Sequence, residues 1–167
     1  MAAPLAILEH VLESTSIAEL ENAASNGDPN ATILVGFAYD FGIDGISQDT
    51  VKAFGLYQEA CQGKNMRACA SVGEAYFSGK DTPQDNSEAA RFYRQACEGN
   101  NMRGCNSLGY LLDNGIGVEE NDIEAVSLFR RACDGNSAMG CKNLGWMYES
   151  AQGVDVDFTK ASGLYTR

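Results

Sequence analysis

Apolar residues recur at helical spacing along most of the chain. Ala53, Leu56, Tyr57 and Ala60 follow the i, i+3, i+4, i+7 pattern of one face of an α-helix. The same stripe returns after 36 and again after 72 residues. The chain is therefore predicted to be built from an internal repeat of about 36 residues, each copy containing an amphipathic helix.

A second helix is predicted in each repeat, from the segments NMRACASVGEAYFS, NMRGCNSLGYLLDN and NSAMGCKNLGWMYES. Each contains a glycine at the same position, at 73, 109 and 145. Because glycine inside a helix costs about 1 kcal/mol relative to alanine, its recurrence predicts a close approach between helices. We expect this approach against the alanines that recur at the same interval, which are Ala53, Ala89, Ala125 and Ala161.

The helix boundaries are marked by polar residues and glycines. Asp49, Asp85, Asn121 and Asp157 occupy one column and are typical N-cap residues. The acids Glu88 and Glu124, three residues after a cap, predict capping boxes. Each complete helix that follows one of these caps is expected to end at a glycine in the left-handed conformation. The three candidates are Gly63, Gly99 and Gly135.

These patterns predict an all-α fold, an α/α solenoid of about four and a half helix-pair repeats in a single domain, 1–167. Residues 1–27 form a degenerate N-terminal cap, with its first helix at 4–13. The period places the next Ala-Cys pair beyond residue 167, which leaves open that the last repeat is truncated. The predicted repeats are 28–63, 64–99, 100–135 and 136–167.

The six cysteines form three pairs, each eight residues apart, and the pairs also repeat every 36 residues. The first cysteine of a pair lies in the last turn of one helix, and the second lies about one turn into the next. A glycine turn between antiparallel helices brings two such sulfurs to bonding distance. The predicted disulfides are Cys61–Cys69, Cys97–Cys105 and Cys133–Cys141.

Other roles for the cysteines fit less well. A zinc site needs closer cysteines or several histidines, and His10 is the only histidine. No Cys-x-x-Cys redox motif is present. Structural disulfides indicate the periplasm or the extracellular space. Because the first residues lack a positively charged segment, we interpret them as helix and not as an intact signal peptide; if the protein is exported, its leader is missing from this chain.

The charge and hydropathy of the chain exclude two classes of partner. The net charge is −11, which repels nucleic-acid backbones and anionic lipid headgroups. No segment has the roughly 20 apolar residues that a membrane-spanning helix needs. We therefore expect neither nucleic-acid binding nor membrane insertion, and the sequence leaves the oligomeric state open.

Catalytic motifs are also missing. A histidine in a terminal segment is a poor general base, and neither Ser-x-x-Lys nor a phosphate-binding glycine loop occurs. The acidic runs 119–124 and 155–157 lack the oxygen spacing of a calcium loop and are interpreted as helix caps and solvated surface. The sequence predicts a protein that is not an enzyme and has no cofactor, metal or catalytic residue.

The stretch SLGYLLDNGIGVEENDIEAVSLFRRA, at 107–132, resembles a Sel1-like repeat, a relative of the tetratricopeptide repeats. The residues behind this resemblance are Leu108 with Gly109, the loop 115–118, and the column positions Ala125, Phe129 and Ala132. The paired cysteines are similar to those of the cysteine-rich Sel1 proteins typified by the Helicobacter cysteine-rich protein family. The resemblance implies a right-handed superhelix with the first helix of each pair on its concave side, and a role as an interaction scaffold. Some members have been described as binding or slowly hydrolysing β-lactams, and some act as immunity partners of secreted bacterial toxins.

A partner is expected to bind to the variable columns on the concave face. Tyr110 and Trp146 are aromatic anchors of the kind that dominate interfaces, although packing between repeats is an alternative role for both. Arginines in an acidic chain favour a partner with an acidic segment or a carboxylate terminus. The predicted partner-binding residues are Arg67, Glu74, Arg103, Asn106, Tyr110, Asn143 and Trp146. The predicted function is a protein- or peptide-binding scaffold, with a toxin-immunity protein and a weak β-lactam-binding or hydrolysing protein as alternatives.

Overall fold

The structure, a computed structural model, describes residues 10–12, 14–43 and 45–167. Within these residues the regular secondary structure consists of helices alone, which confirms the all-α prediction. The cap helix expected at 4–13 lies mostly outside the described residues. The nine helices named here are α1 (Ile17–Ser25), α2 (Pro29–Phe41), α3 (Thr50–Gln62), α4 (Met66–Ser78), α5 (Asn86–Glu98), α6 (Met102–Asp113), α7 (Asp122–Asp134), α8 (Ala138–Ser150) and α9 (Phe158–Tyr165).

The chain divides into two compact units, Met1–Gln84 and Asp85–Arg167, and each is described by itself. In the first unit, α1 packs on α2, α2 on α3 and α3 on α4. Its interior contains the buried side chains of Phe37 and Val72, and the Phe37 ring meets the Tyr57 ring edge to face, with 5.6 Å between centroids. Thr32, buried where later repeats have a cysteine, donates its hydroxyl to the Asp28 carbonyl at 2.8 Å.

In the second unit each helix from α5 to α9 packs on the next one, and α6 also contacts α8. The largest fully buried side chains of this unit are those of Tyr93, Leu108, Leu111, Phe129 and Met147. Neighbouring helices therefore share one continuous apolar layer, as expected for stacked repeats. The prediction that the whole chain is a single domain with the repeat bounds given above stays a prediction.

The predicted N-caps are present, but the capping boxes predicted at Glu88 and Glu124 are not. The side chains of Asp49, Asp85, Asn121 and Asp157 accept hydrogen bonds from backbone N–H groups of the helices that follow them. The Glu88 carboxylate instead binds Arg91, with 2.8 Å to Nη2. In the same way Glu124 binds Arg94, also at 2.8 Å. Both acids thus pair with a nearby guanidinium instead of turning back to the cap, and the capping-box prediction is wrong for them.

The glycines at the ends of α3 and α7 are required for space and not for backbone conformation. Gly63 and Gly135 have φ of −71° and −84°, so the expectation of left-handed glycines is wrong. The left-handed residue is the next one, and in the three turns it is Lys64, Asn100 or Asn136. A Cβ on Gly63 would lie 2.7 Å from Pro29 Cβ, and a Cβ on Gly135 would clash with Met102. The end of each of these two helices therefore lies close against the start of the helix that precedes it, which leaves little room for a Cβ.

The glycines inside α2, α6 and α8 approach aromatic rings, not the alanine column that we expected. A Cβ on Gly36, Gly109 or Gly145 would lie 2.7 Å from a ring atom of Tyr57, Phe129 or Tyr165 respectively. The rings of α3, α7 and α9 therefore pack close against the backbones of α2, α6 and α8 respectively. Ala96 and Ala132, which belong to a different column, are the alanines that lie against glycines, namely Gly104 and Gly140.

The tyrosines of this aromatic column also bind a carboxylate. The Tyr57 hydroxyl donates to Asp40 at 3.1 Å, and the Tyr165 hydroxyl donates to Glu149 at 2.6 Å, which raises the pKa of Tyr165 to about 12. Asp113 and Phe129 lie 36 residues before Glu149 and Tyr165, and a phenylalanine has no hydroxyl to donate at this position. The Asp113 Oδ1 atom is buried with no hydrogen-bond partner among the described residues. Burial, helped by the neighbouring charges of Asp122 and Glu120, raises the pKa of Asp113.

Phe129→Tyr is expected to stabilise the fold by about 1 kcal/mol at pH 7, because the new hydroxyl can donate to the Asp113 carboxylate.

In the wild type the pKa of Asp113 is higher in the folded state than in the unfolded state, so the folded state binds the carboxyl proton of Asp113 more tightly. Stability therefore falls as pH rises from the unfolded pKa to the folded pKa. Asp113→Asn should also stabilise at pH 7 and lose this advantage below about pH 3.9, the ordinary aspartate pKa. Denaturant unfolding at pH 7 and pH 3 measures both effects, and unchanged stability of both variants at pH 7 would contradict this account.

Three disulfides join consecutive helices. They are Cys61–Cys69, Cys97–Cys105 and Cys133–Cys141, the pairs expected from the spacing, with Cα atoms 4.4 to 4.7 Å apart. All six cysteines are buried. The central pair packs against Ala132, so it belongs to the apolar interior of the second unit.

Candidate partner-binding face

Two neighbouring helices of the second unit, α6 and α8, present polar and aromatic side chains on one face. A hydrogen bond from Asn143 Nδ2 to Asn106 Oδ1, 2.9 Å long, links the two helices across this face. We call this surface the α6–α8 face. It comprises Arg103, Asn106 and Tyr110 from α6, with Met139, Lys142, Asn143 and Trp146 from α8.

Helical periodicity places these side chains together. Arg103, Asn106 and Tyr110 follow i, i+3, i+7 spacing, so they lie on one side of α6. The opposite side of the same helix is buried and includes Cys105 and Leu108. Helix α8 repeats the arrangement 36 residues later, with Cys141 and Leu144 inside. The disulfides and the core residues therefore fix which side of each helix faces solvent.

The two aromatic side chains of the face are largely in contact with solvent. Tyr110 is 45% exposed, Trp146 is 54% exposed, and Met139 is also exposed. In the first unit, the same repeat column holds Phe37, which is only 2% exposed. The column therefore has a packing role at Phe37 and a solvent-exposed position in the three later repeats, at Glu74, Tyr110 and Trp146.

The α6–α8 face contains two cationic side chains in a chain whose net charge is −11. Arg103 and Lys142 are both exposed. The two asparagines between them share one hydrogen bond, which uses one N–H donor of Asn143 and the side-chain carbonyl oxygen of Asn106. The face thus combines aromatic contact area, a neutral donor and acceptor, and cationic charge.

The remaining predicted partner-binding residues, Arg67 and Glu74, belong to the first unit. Both are exposed, and their separation of seven residues places them two turns apart on one side of α4. Their participation in one binding surface with the residues of α6 and α8 stays a prediction.

The described residues offer little material for catalysis or metal binding. No group of three or more histidine, cysteine or acidic side chains in 10–12, 14–43 and 45–167 is arranged to hold a metal ion. All six cysteines are in disulfides, and His10 is exposed near the N-terminal edge of the described region. In the described part of the chain no helix is both long enough and apolar enough to cross a bilayer.

One shallow cavity was not anticipated from the sequence. It measures about 600 Å³ in the first unit and is lined by Tyr39, Lys52 and the loop 46–50. Lys52 Nζ donates to the Tyr39 hydroxyl at 2.6 Å and lies 3.8 Å from the centre of its ring. This hydrogen bond raises the pKa of Lys52. This contact joins α3 to α2 at the wall of the cavity.

Comparison with known families identifies the repeat. The model of the Sel1 repeat matches four segments, 29–65, 67–101, 103–137 and 138–167. With these bounds, each disulfide joins the second helix of one repeat to the first helix of the next one. Comparison with curated protein sequences finds no significant match.

Solved structures share this fold. A Sel1 repeat protein from Oxalobacter formigenes is 26% identical with a TM-score of 0.84, and the match covers 90% of this chain and 59% of that one. A protective antigen of uropathogenic Escherichia coli is 29% identical with a TM-score of 0.82, and the match covers 90% of this chain and 32% of the antigen. This chain therefore spans less than two thirds of either protein. Cysteine rich protein B of Helicobacter pylori is 30% identical with a TM-score of 0.59, and the match covers 77% of this chain and 96% of that one.

These matches confirm the α/α solenoid predicted from the 36-residue period, and they confirm the similarity to the cysteine-rich Sel1 proteins. The four matched segments account for nearly all of the chain from residue 29 onward. The chain belongs to the Sel1 repeat family.

Proposed function

We propose that this protein is a non-enzymatic binding module that works outside the cytoplasm and holds a protein or peptide segment on its α6–α8 face. Sel1 repeat proteins are generally protein-interaction scaffolds. The observation that supports this face most directly is the exposure of Tyr110 and Trp146 on either side of the Asn106–Asn143 hydrogen bond. Exposed aromatic residues beside fixed polar groups are typical of interface anchors.

The charge of the face favours an acidic partner segment. Arg103 and Lys142 are exposed cations on this surface, so an acidic segment would bind there more favourably than a basic one. Burying the two aromatic rings would contribute hydrophobic binding energy that does not depend on the salt concentration. We therefore expect affinity from the aromatic side chains and selectivity from the charge.

The disulfides support the proposed location. Three buried disulfides in a chain of 167 residues are typical of proteins that mature in an oxidising compartment. Its Sel1 relatives with solved structures come from bacteria. Periplasmic or secreted action is accordingly part of the proposal.

The test is capture of a partner by the oxidised protein from the envelope and secreted fractions of the native host. We expect Tyr110→Ala/Trp146→Ala to weaken capture at least tenfold, because truncated anchors typically cost 2 kcal/mol or more, roughly 30-fold. Ile123→Ala is the matched control, since this residue is 75% exposed in the same unit but lies on α7. Circular dichroism and intact disulfides would verify folding of each variant.

Equal capture by wild type and the double variant would show that the partner binds elsewhere. A single partner bound tightly in one-to-one ratio would instead favour the immunity-protein alternative over a general scaffold.

A further inference from the structure

We propose that Arg130, Tyr148 and Lys160 form a binding site for a carboxylate group that comes from outside the chain. The three residues belong to the consecutive helices α7, α8 and α9 of the second unit. This site is separate from the α6–α8 face. Tyr148 lies two residues after Trp146, and its side chain is therefore about 200° away from that of Trp146 around the axis of α8.

Two cationic side chains converge on the ring of Tyr148. The Nη2 atom of Arg130 donates to the Tyr148 hydroxyl at 3.0 Å, and the ammonium group of Lys160 lies 5.3 Å from the centre of the same ring. The two cations also influence each other. Hydrogen bonding to Asp157 raises the pKa of Lys160, whereas the positive charge of Arg130 acts in the opposite direction. Two like charges therefore meet at this tyrosine.

The preceding repeat has a carboxylate at the equivalent position. Arg94 and Glu124 lie 36 residues before Arg130 and Lys160 respectively. Arg94 Nη1 is 2.8 Å from Glu124 Oε1, so in that repeat the guanidinium is neutralised by an acid from the helix two elements further on. The last pair has a lysine where this glutamate would be, and the equivalent positions hold like charges instead of an ion pair.

The guanidinium of Arg130 has no acid to neutralise it in the described part of the chain. Lys160 Nζ pairs with Asp157 Oδ2 at 3.0 Å, so one of the two cations has a carboxylate partner. The polar partner of Arg130 among the described residues is the Tyr148 hydroxyl, which is neutral. Because the side chains of Arg130 and Lys160 are both exposed, an anion from solution can reach them.

The groups at this site suit a carboxylate. A guanidinium presents its N–H donors in a planar fork that matches two carboxylate oxygens, and the bond to Tyr148 uses only one of these donors. The Tyr148 oxygen accepts that bond, so its own O–H can be donated to the ligand. Glu124 on Arg94 is an example of this pairing in the same unit. The carboxylate can belong to a small organic acid or to an acidic side chain of a protein.

The experiment follows the ring signals of Tyr148 by NMR in the oxidised full-length protein, labelled on tyrosine, while sodium chloride is exchanged for a carboxylate at constant ionic strength. The two probes are acetate and a blocked tripeptide with one glutamate between two glycines. We expect saturable shifts with both probes. The same tripeptide with glutamine in place of glutamate should cause none, and methanesulfonate, which has the charge of acetate on a tetrahedral group, should bind more weakly.

Three variants locate the binding. Arg130→Gln should weaken binding of both probes at least about tenfold, because it removes charge-assisted hydrogen bonds to the ligand. Lys160→Glu should abolish binding, because it restores the carboxylate that Glu124 provides in the preceding repeat. Arg131→Gln is the matched control, since this exposed arginine of the same helix binds Asn100 instead of the tyrosine. It loses the same charge and should bind both probes as the wild type does.

The site is overturned if neither probe shifts the Tyr148 signals, or if Arg131→Gln weakens binding as much as Arg130→Gln does. Methanesulfonate binding as tightly as acetate would overturn the assignment to carboxylates. Saturable binding of the probes supports the site, and tighter binding of the tripeptide than of acetate would identify a protein segment as the source of the carboxylate. Partner capture by the Tyr110→Ala/Trp146→Ala variant tests the proposed function separately, because this variant leaves all three residues of the site unchanged.

Discussion

Replacing both Cys97 and Cys105 by alanine is expected to lower the free energy of unfolding by at least about 2.5 kcal/mol, the chain-entropy value for so short a loop. Both cysteines are fully or almost fully buried, so loss of the sulfur atoms from the core adds to the effect of losing the cross-link. The measurement is denaturant unfolding followed by far-UV circular dichroism, which also shows whether the helices persist before the transition.

The position of this disulfide predicts a second effect, on cooperativity. Cys97 lies in the second matched repeat and Cys105 in the third, so the bond connects neighbouring repeats within the second unit. Stability in repeat proteins depends on intrinsic repeat terms plus interface terms. Removing a cross-link at an interface should therefore broaden the transition as well as lower its midpoint.

Reduced wild type provides the control that isolates the cross-link from the loss of sulfur. The protein has to be reduced while unfolded and refolded in the presence of reductant, because buried disulfides are shielded in the folded state. If reduced and oxidised wild type unfold at the same denaturant concentration, the disulfides contribute nothing to stability and the prediction is wrong.

The repeat, the helices and the disulfide pairs could be predicted from the sequence because each depends on local spacing. The N-caps at Asp49, Asp85 and Asp157 are local in the same sense. Glu88 shows where local reasoning fails. A carboxylate three residues after a cap can turn back to the cap or forward to Arg91, and the guanidinium is the stronger partner.

The glycines are a second feature for which local sequence spacing is not sufficient. The sequence indicates that Gly63 and Gly109 matter, but not whether the requirement is a left-handed conformation or a close neighbour. That distinction depends on Pro29 and Phe129, which reach these glycines only in the folded chain. The structure assigns both glycines to close contacts.

The candidate site was predictable in its residue types but not in its exposure. Phe37, Tyr110 and Trp146 share one column, yet the first is buried against Tyr57 and the other two are exposed. Exposure depends on which elements of the fold cover each position. A column of residue types holds no information about that packing. The asparagine pair is similar, because the hydrogen bond between Asn106 and Asn143 requires two helices from different repeats to be adjacent.

Gly109→Ala is expected to destabilise the fold by about 2 kcal/mol, although alanine is the better helix former by about 1 kcal/mol. The new Cβ would lie 2.7 and 2.9 Å from two ring atoms of Phe129. This ring is 1% exposed and has no room to retreat, so either the ring or helix α6 must shift. Gly55→Ala is the matched control, because Gly55 is an exposed glycine inside α3 with nothing near its Cβ position. We expect the control to stabilise the fold by up to about 1 kcal/mol.

Denaturant unfolding of the two variants should thus give changes in the free energy of unfolding with opposite signs. Adding Phe129→Leu to Gly109→Ala should recover part of the loss, as a smaller side chain makes room for the methyl group. If Gly109→Ala stabilises the chain as Gly55→Ala does, the ring does not pack against the backbone of α6, and the recurrence of this glycine has another cause.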